Sequence, residues 1–252
     1  MMRSTMYRNL LRHLKKPAIL LVWLFLWQLG SLLLGQEILL VSPVKTAETL
    51  LTLMWTPDFW YSIGTSLLRI MGGFLLALFT GSVLAFCGWR IAFIHEFLSP
   101  VLSVMKATPV ASFIILALLW VNGAYISVLC SFIMGMPIVY SNLYAGLCNI
   151  DKKLLEVGQV FALPQQKMVQ QIYIPSLKPY LLSACTICIG FCWKSGVAAE
   201  VIGLANHTIG MHLYNAKVYL ETPELFAWTL VIILLSVSIE KWMVRISHKI
   251  LH

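Results

Sequence analysis

Six apolar runs, at about 17–35, 64–88, 99–121, 125–148, 179–204 and 224–246, divide this chain of 252 residues. A helix needs about 20 apolar residues to cross a hydrocarbon core of about 30 Å. Inside lipid, every backbone amide must also be bonded within its own segment, which leaves a helix as the form such a run takes. Runs of this length therefore predict an all-α integral membrane protein with about six transmembrane helices. Composition agrees, with 60% hydrophobic residues and only 11% charged ones, against about 25% charged in a soluble domain. No low-complexity tract or internal repeat interrupts the pattern. The chain reads as a single transmembrane domain, 17–246, between short tails at 1–16 and 247–252.

The net charge of +8 raises the question of nucleic acid, but the basic residues flank apolar runs and form no continuous stripe. The lipid bilayer is the partner they fit, and no nucleic acid is expected. Placing the amino end inside puts thirteen Lys and Arg in cytoplasmic segments and only Lys45 and Lys217 opposite. That bias predicts cytoplasmic amino and carboxyl termini. The first run is long and no small-x-small site follows it, so it reads as a span rather than a cleaved leader. Cys185, Cys188 and Cys192 share a helix face. No His or carboxylate lies close in sequence, and apolar packing is the expected role, with no metal site.

Between the fourth and fifth runs lies the one long polar stretch, 151–179, DKKLLEVGQVFALPQQKMVQQIYIPSLKP. Leu154, Leu155, Val157, Val160 and Phe161 recur at helical spacing with polar residues between them, which predicts an amphipathic helix of about three turns. Leu163-Pro164 stops it, and Pro164 suits the start of a second short helix carrying Met168, Val169 and Ile172. Pro175 is expected to end that second helix, because its ring opposes continuation. The product is a two-helix knob on the cytoplasmic side.

Glu156-Val157-Gly158, three residues, Ala162, nine residues, then Ile172-x-x-Pro175 resembles the EAA loop of binding-protein-dependent ABC importer permeases. The segment LLVSPV at 39–44 is similar to the L-P-x-P segment of the nitrate, sulfonate and taurine branch. The chain departs from the pattern in having Val157-Gly158 for Ala-Ala and Ala162 for Gly. A left-handed turn at Ala162 would carry a steric cost that Gly avoids. The resemblance implies a multi-pass subunit of the bacterial plasma (inner) membrane. It implies a partner ABC ATPase dimer, an extracytoplasmic solute-binding protein and a second permease protomer, forming a homodimer with another copy of this chain or a heterodimer with a similar one. Glu156, Val157, Gly158, Phe161, Ala162, Leu163 and Pro164 would enter the ATPase, with Ile172 and Pro175 bracing the second helix. This chain would bind no cofactor; ATP and Mg would belong to the ATPase.

Within the spans, Gly73, Ala77, Gly81 and Ala85 form a smooth ridge suited to close helix approach, either within the chain or between protomers. Arg69 lies near the outer end of the same run and has the length to snorkel. Pro109 and Pro137 are expected to kink spans three and four, and Lys106 near the cytoplasmic end snorkels, lines a path or anchors a loop. In the fifth run Lys194 and Glu200 are six residues apart, too far to pair on one helix face. Each therefore needs its own partner or a water-filled cavity. By the resemblance this helix contributes to the translocation path and carries an acidic residue at its outer end, where Glu200 stands. Lys194 then either offers positive charge to an anionic substrate or forms a buried pair. The outer loop with Asn206, His207, His212 and Tyr214 is expected to be solvated, with docking of an external partner as the alternative.

The chain contains no G-x-x-x-x-G-K-[ST] phosphate loop, no H-E-x-x-H pair and no G-x-S-x-G elbow, so no catalytic residue is expected and energy must come from a partner. The resemblance implies an importer of a small anion such as a sulfonate, taurine or nitrate. A pyrimidine-type vitamin precursor is the alternative cargo, and an ion-coupled secondary transporter is the alternative class.

Overall fold

A computed structural model describes the backbone from Met2 to Leu251 and the side chains of 18–246 and Lys249. Arg3, Arg8, Arg12, Lys15 and Lys16 of the expected amino tail have side chains outside the described residues, as do most residues of the expected tail at 247–252. The elements are α1 (Met2–Leu34), α2 (Pro43–Met54), α3 (Pro57–Arg90), α4 (Ala92–Ala107), α5 (Val110–Ala117), α6 (Gly123–Cys148), α7 (Lys152–Val160), α8 (Gln165–Met168), α9 (Ile174–Ile202), α10 (Ile209–Val218) and α11 (Thr222–Leu251).

Among the described residues, four helices are long and apolar enough to span a membrane: α3, α6, the continuous run Gln165–Ile202, and Thr222–Ile246. The pair α4 and α5 makes a fifth if counted as one span, and the apolar part of α1, Ala18–Leu34, is shorter. The described residues thus carry four to five of the roughly six spans that the sequence predicts, with the first expected span falling on α1.

Two expectations are corrected. The run at 99–121 is not a gently kinked rod but two helices meeting at 104°, a broken span or a re-entrant loop. Pro109 supplies no amide, and its ring drives Thr108 into extended backbone (φ −73°, ψ 124°), so α4 cannot continue. Pro175, in contrast, ends nothing. A π turn at Val169–Tyr173 joins α8 to α9, and the Ile174 amide bonds back to the Val169 carbonyl. The widened turn lets Pro175 sit near the start of α9, where its missing amide costs no bond. The second helix of the knob is therefore the amino-terminal extension of a membrane span.

Helices α3, α6 and α9 form the packed centre, with Ile70, Val139, Ile189 and Trp193 fully or almost fully buried. The small-residue ridge lies inside this contact. A Cβ on Gly73 would strike the Val128 carbonyl, and one on Gly81 would stand 2.9 Å from Val139 Cβ. The ridge thus packs α3 onto α6 within the chain. From the α6 side, Gly135 receives Ala77 of the same ridge and the Cys188 and Cys192 sulfurs of α9, each 2.8–2.9 Å from where a Cβ would sit. The cysteines fill space, as small apolar residues do.

Candidate functional site: a capped elbow and a buried outer network

Asp151 caps α7, its carboxylate accepting from the Lys153 amide at 2.9 Å. At the other end the chain closes a Schellman motif. The Leu163 amide donates to the Gly158 carbonyl at 3.0 Å, and the Ala162 amide donates to the Gln159 carbonyl at 2.9 Å. That pattern requires a left-handed residue between helix and exit, and Ala162 adopts it with φ 46°. The turn is therefore made despite the Cβ that Gly would lack. Pro164 follows and directs the chain into α8.

Gly158 is buried because α8 and the π turn cross it there. A Cβ at this position would collide with Met168 Sδ and would stand 3.0 Å from Ile172 Cδ1. Ile172 is buried in a small cluster with Leu147 and Ile150, and Trp89, Tyr173 and Leu177 pack around it. The Trp89 and Tyr173 rings meet edge to face at 5.7 Å. This cluster fixes the elbow to the ends of α3 and α6. Pro175, by comparison, is exposed.

The tip is apolar and open. Val160 is 82% exposed, Phe161 73% and Val157 50%, with exposed Glu156 on the same short helix. Leu163 is half-buried and Pro164 exposed. An apolar tip on a polar arm outside the spans is a surface that gains by being covered.

The three residues singled out in the spans lie in different environments. Lys106, at the end of α4, is exposed and its Nζ donates to Ser141 Oγ at 2.6 Å. Lys194 is exposed on α9, on one stripe with Ile187 and Phe191. Glu200 is completely buried. The structure does not bring the three together.

Glu200 instead organises a network among residues far apart in the chain. Ser66 Oγ donates to Glu200 Oε2 at 2.8 Å, and the Gly210 amide donates to the same oxygen at 3.4 Å. Ser66 Oγ also accepts from the Ile209 amide at 3.0 Å. The carboxylate thus sits at the amino end of α10, where free amides and the helix dipole favour negative charge. Gly210 is required by this approach, since a Cβ there would overlap Glu200 Cβ. Arg69 lies near the carboxylate and contributes to its electrostatics. Arg69 Nη1, Ser127 Oγ and Glu200 Oε1 are all buried without a direct hydrogen-bond partner. Arg69 therefore turns inward rather than only reaching for the interface.

A second contact holds α10 against α3 and α11. His212 Nε2 lies 3.2 Å from Asp58 Oδ2 and 2.9 Å from Ser62 Oγ, and its ring stacks on Trp228 at 4.5 Å. The expected solvated loop is thus largely a docked helix; of the four residues singled out there, Asn206 and His207 keep exposed side chains while His212 and Tyr214 are half-buried. Burial pushes the His212 pKa below its ordinary value; Asp58 opposes this and His207 reinforces it. Sequence reasoning missed Ser66, Gly210 and Asp58. Their partners stand from 10 residues away, for Gly210 and Glu200, to 154, for Asp58 and His212 (212 − 58), and no local spacing signals such contacts.

Comparison with known proteins agrees with this architecture. The chain is 24% identical over 220 residues to the aliphatic sulfonates transport permease protein SsuC of Bacillus subtilis, covering 86% of this chain and 78% of that protein. It is 28% identical over 210 residues to the nitrate import permease protein NrtB of Synechococcus elongatus, covering 77% and 73%. The taurine transport system permease protein TauC of Escherichia coli is 23% identical over 228 residues, covering 88% and 82%. Among solved structures, the inward-facing MetNI methionine ABC transporter superposes with a TM-score of 0.60 at 15% identity, covering 75% of this chain and 93% of that chain. A bacterial alginate ABC transporter, in complex with an alginate-bound periplasmic protein, gives a TM-score of 0.60 at 13% identity over 96% of this chain and 95% of that one. Residues 73–252 match the family described as binding-protein-dependent transport system inner membrane component. With that match over most of its length, and with relatives in the sulfonate, nitrate and taurine permeases, the chain belongs to the membrane-spanning permeases of binding-protein-dependent ABC importers.

Proposed function

We propose that this permease carries a small anion such as a sulfonate, taurine or nitrate, driven by a separate ATPase dimer that grips the elbow around Glu156 and Phe161. The observation that carries this reading is the rigidly capped tip, with Val160 and Phe161 fully presented outside the spans. A hinge-free arm with an apolar end transmits force to the helix it continues into, and here that helix is α9. The excess of Lys and Arg beside the elbow and the termini supports a cytoplasmic location for all three. An extracytoplasmic binding protein delivers the solute to the opposite face.

The second protomer is another copy of this chain. Lys194 lies about 12 Å along the axis from the outer end of α9, and its stripe with Ile187 and Phe191 is uncovered in one protomer. A lysine facing hydrocarbon costs several kcal/mol, so this stripe faces a partner and an aqueous path between the two copies. Lys194 there offers positive charge to the anion, while Lys106 holds the α4–α5 break against α6.

Two experiments test the reading. Glu156→Lys abolishes co-purification of the ATPase while membrane insertion is unchanged; full retention of the ATPase sinks the docking assignment. Lys194→Met lowers uptake of the anion identified on the cognate binding protein, and normal uptake with normal selectivity removes Lys194 from the path.

A further inference from the structure

A groove runs along the outside of the bundle where the elbow meets the spans. Its membrane part is a cavity of about 260 Å³, and a second of about 410 Å³ continues it toward the elbow. The two share Phe86, Leu147, Ile174 and Leu177 as walls. Along α3 the groove extends from Arg90 to Ser82, about 12 Å at 1.5 Å per residue. Phe86 and Ile174 are about half-exposed, so the walls open outward to the surrounding lipid rather than into the bundle.

The charge around this groove has one sign. Arg90 closes its upper end, exposed, with its guanidinium 5.5 Å from the centre of the Trp89 ring, and Lys178 lines the deeper part. No Asp or Glu lines either cavity, and among the described residues no ion pair engages Arg90. Arg90 is the last residue of the apolar helix α3. An apolar slot about 12 Å deep with a cation at its mouth matches one acyl chain beneath an anionic headgroup.

We infer that this groove binds an anionic phospholipid, its acyl chain against Phe86 and Ile174 and its headgroup phosphate on Arg90. The lipid wedges between the end of α3 and the Met168–Tyr173 side of the elbow, and so stiffens the arm where it enters α9. The choice of the cytoplasmic leaflet rests on the orientation proposed above; the site itself does not.

The test is native mass spectrometry of the purified full-length chain titrated with phosphatidylglycerol or phosphatidylcholine of identical acyl chains. Wild type binds phosphatidylglycerol the more tightly, and Arg90→Gln weakens that lipid about fivefold, the equivalent of about 1 kcal/mol for one basic side chain at the surface. Arg90→Lys retains the preference. Ile174→Trp, which fills the slot and leaves the charge, lowers occupancy by both lipids. Equal binding of the two lipids by wild type overturns the site, as does an Arg90→Gln chain that folds and keeps its wild-type affinity. Displacement of the lipid by millimolar glycerol phosphate overturns it too, since a bare phosphate site needs no acyl chain. No ATPase is present in the assay, so a failure of ATPase docking at the elbow leaves its outcome unaffected.

Discussion

Replacing Ala162 by Gly tests whether the elbow is a strained but rigid turn. Ala162 holds φ 46°, a conformation that costs an L-residue roughly 1–2 kcal/mol. Glycine removes that cost but gives the unfolded arm more freedom, which returns about 0.4–1 kcal/mol. The net gain is about 0.5–1 kcal/mol, a two- to fivefold shift in the opening equilibrium of the Schellman turn. Two amides report that opening directly, because Ala162 and Leu163 donate the bonds that close the motif. Hydrogen exchange of the purified chain in nanodiscs is expected to slow two- to fivefold at these amides in Ala162→Gly, with no change in the packed α3–α6 contact. Ala162→Val has the opposite effect, since a β-branched residue strongly resists φ > 0. Unchanged or faster exchange in the glycine variant would refute the claim that a left-handed residue limits the stability of the arm.

Other expectations follow from the outer network. Gly210→Ala inserts a Cβ into Glu200 and lowers thermal stability by about 1–3 kcal/mol as overpacking. Gly72→Ala, where a Cβ meets nothing within 4 Å, leaves the melting temperature unchanged or slightly raised and serves as the control. His212 titrates below its ordinary value, chiefly through burial. Its neutral form stabilises the fold above about pH 6.5, and that contribution is lost as the pH falls from there toward the folded-state pKa. Thermal melts are expected to drop on acidification in wild type, to drop further in Asp58→Asn and to flatten in His212→Gln.

The two contacts on α10 join the far end of α9 to the rest of the bundle. The run that starts at Gln165 in the second helix of the elbow ends at Ile202, two residues past Glu200, so one helical rod joins the elbow to the amino end of α10. Glu200 and Ser66 tie that end to α3. The apolar tip at Phe161 meets that rod through the Schellman turn and Pro164, and Gly158 packs directly on Met168 and Ile172 of the rod.

The sequence by itself determined the membrane class and the position of the elbow, and it set the expectation for the orientation. Each rests on a one-dimensional quantity: the length of apolar runs, the distribution of Lys and Arg, and the spacing from Glu156 to Pro175. The ridge of Gly73, Ala77 and Gly81 was equally visible, because small residues every four positions form a face on any helix. Only the tertiary structure decided that Pro109 breaks a span while Pro175 continues one. Both prolines lack an amide, and what differs is whether the neighbouring backbone widens into a π turn to absorb the loss. It likewise decided that Glu200 is bonded to Ser66 and the start of α10 while Lys194 stays uncovered. Two ionisable residues on one helix carry the same sequence-level signal, and the side each turns toward depends on which other helices fill the space around it.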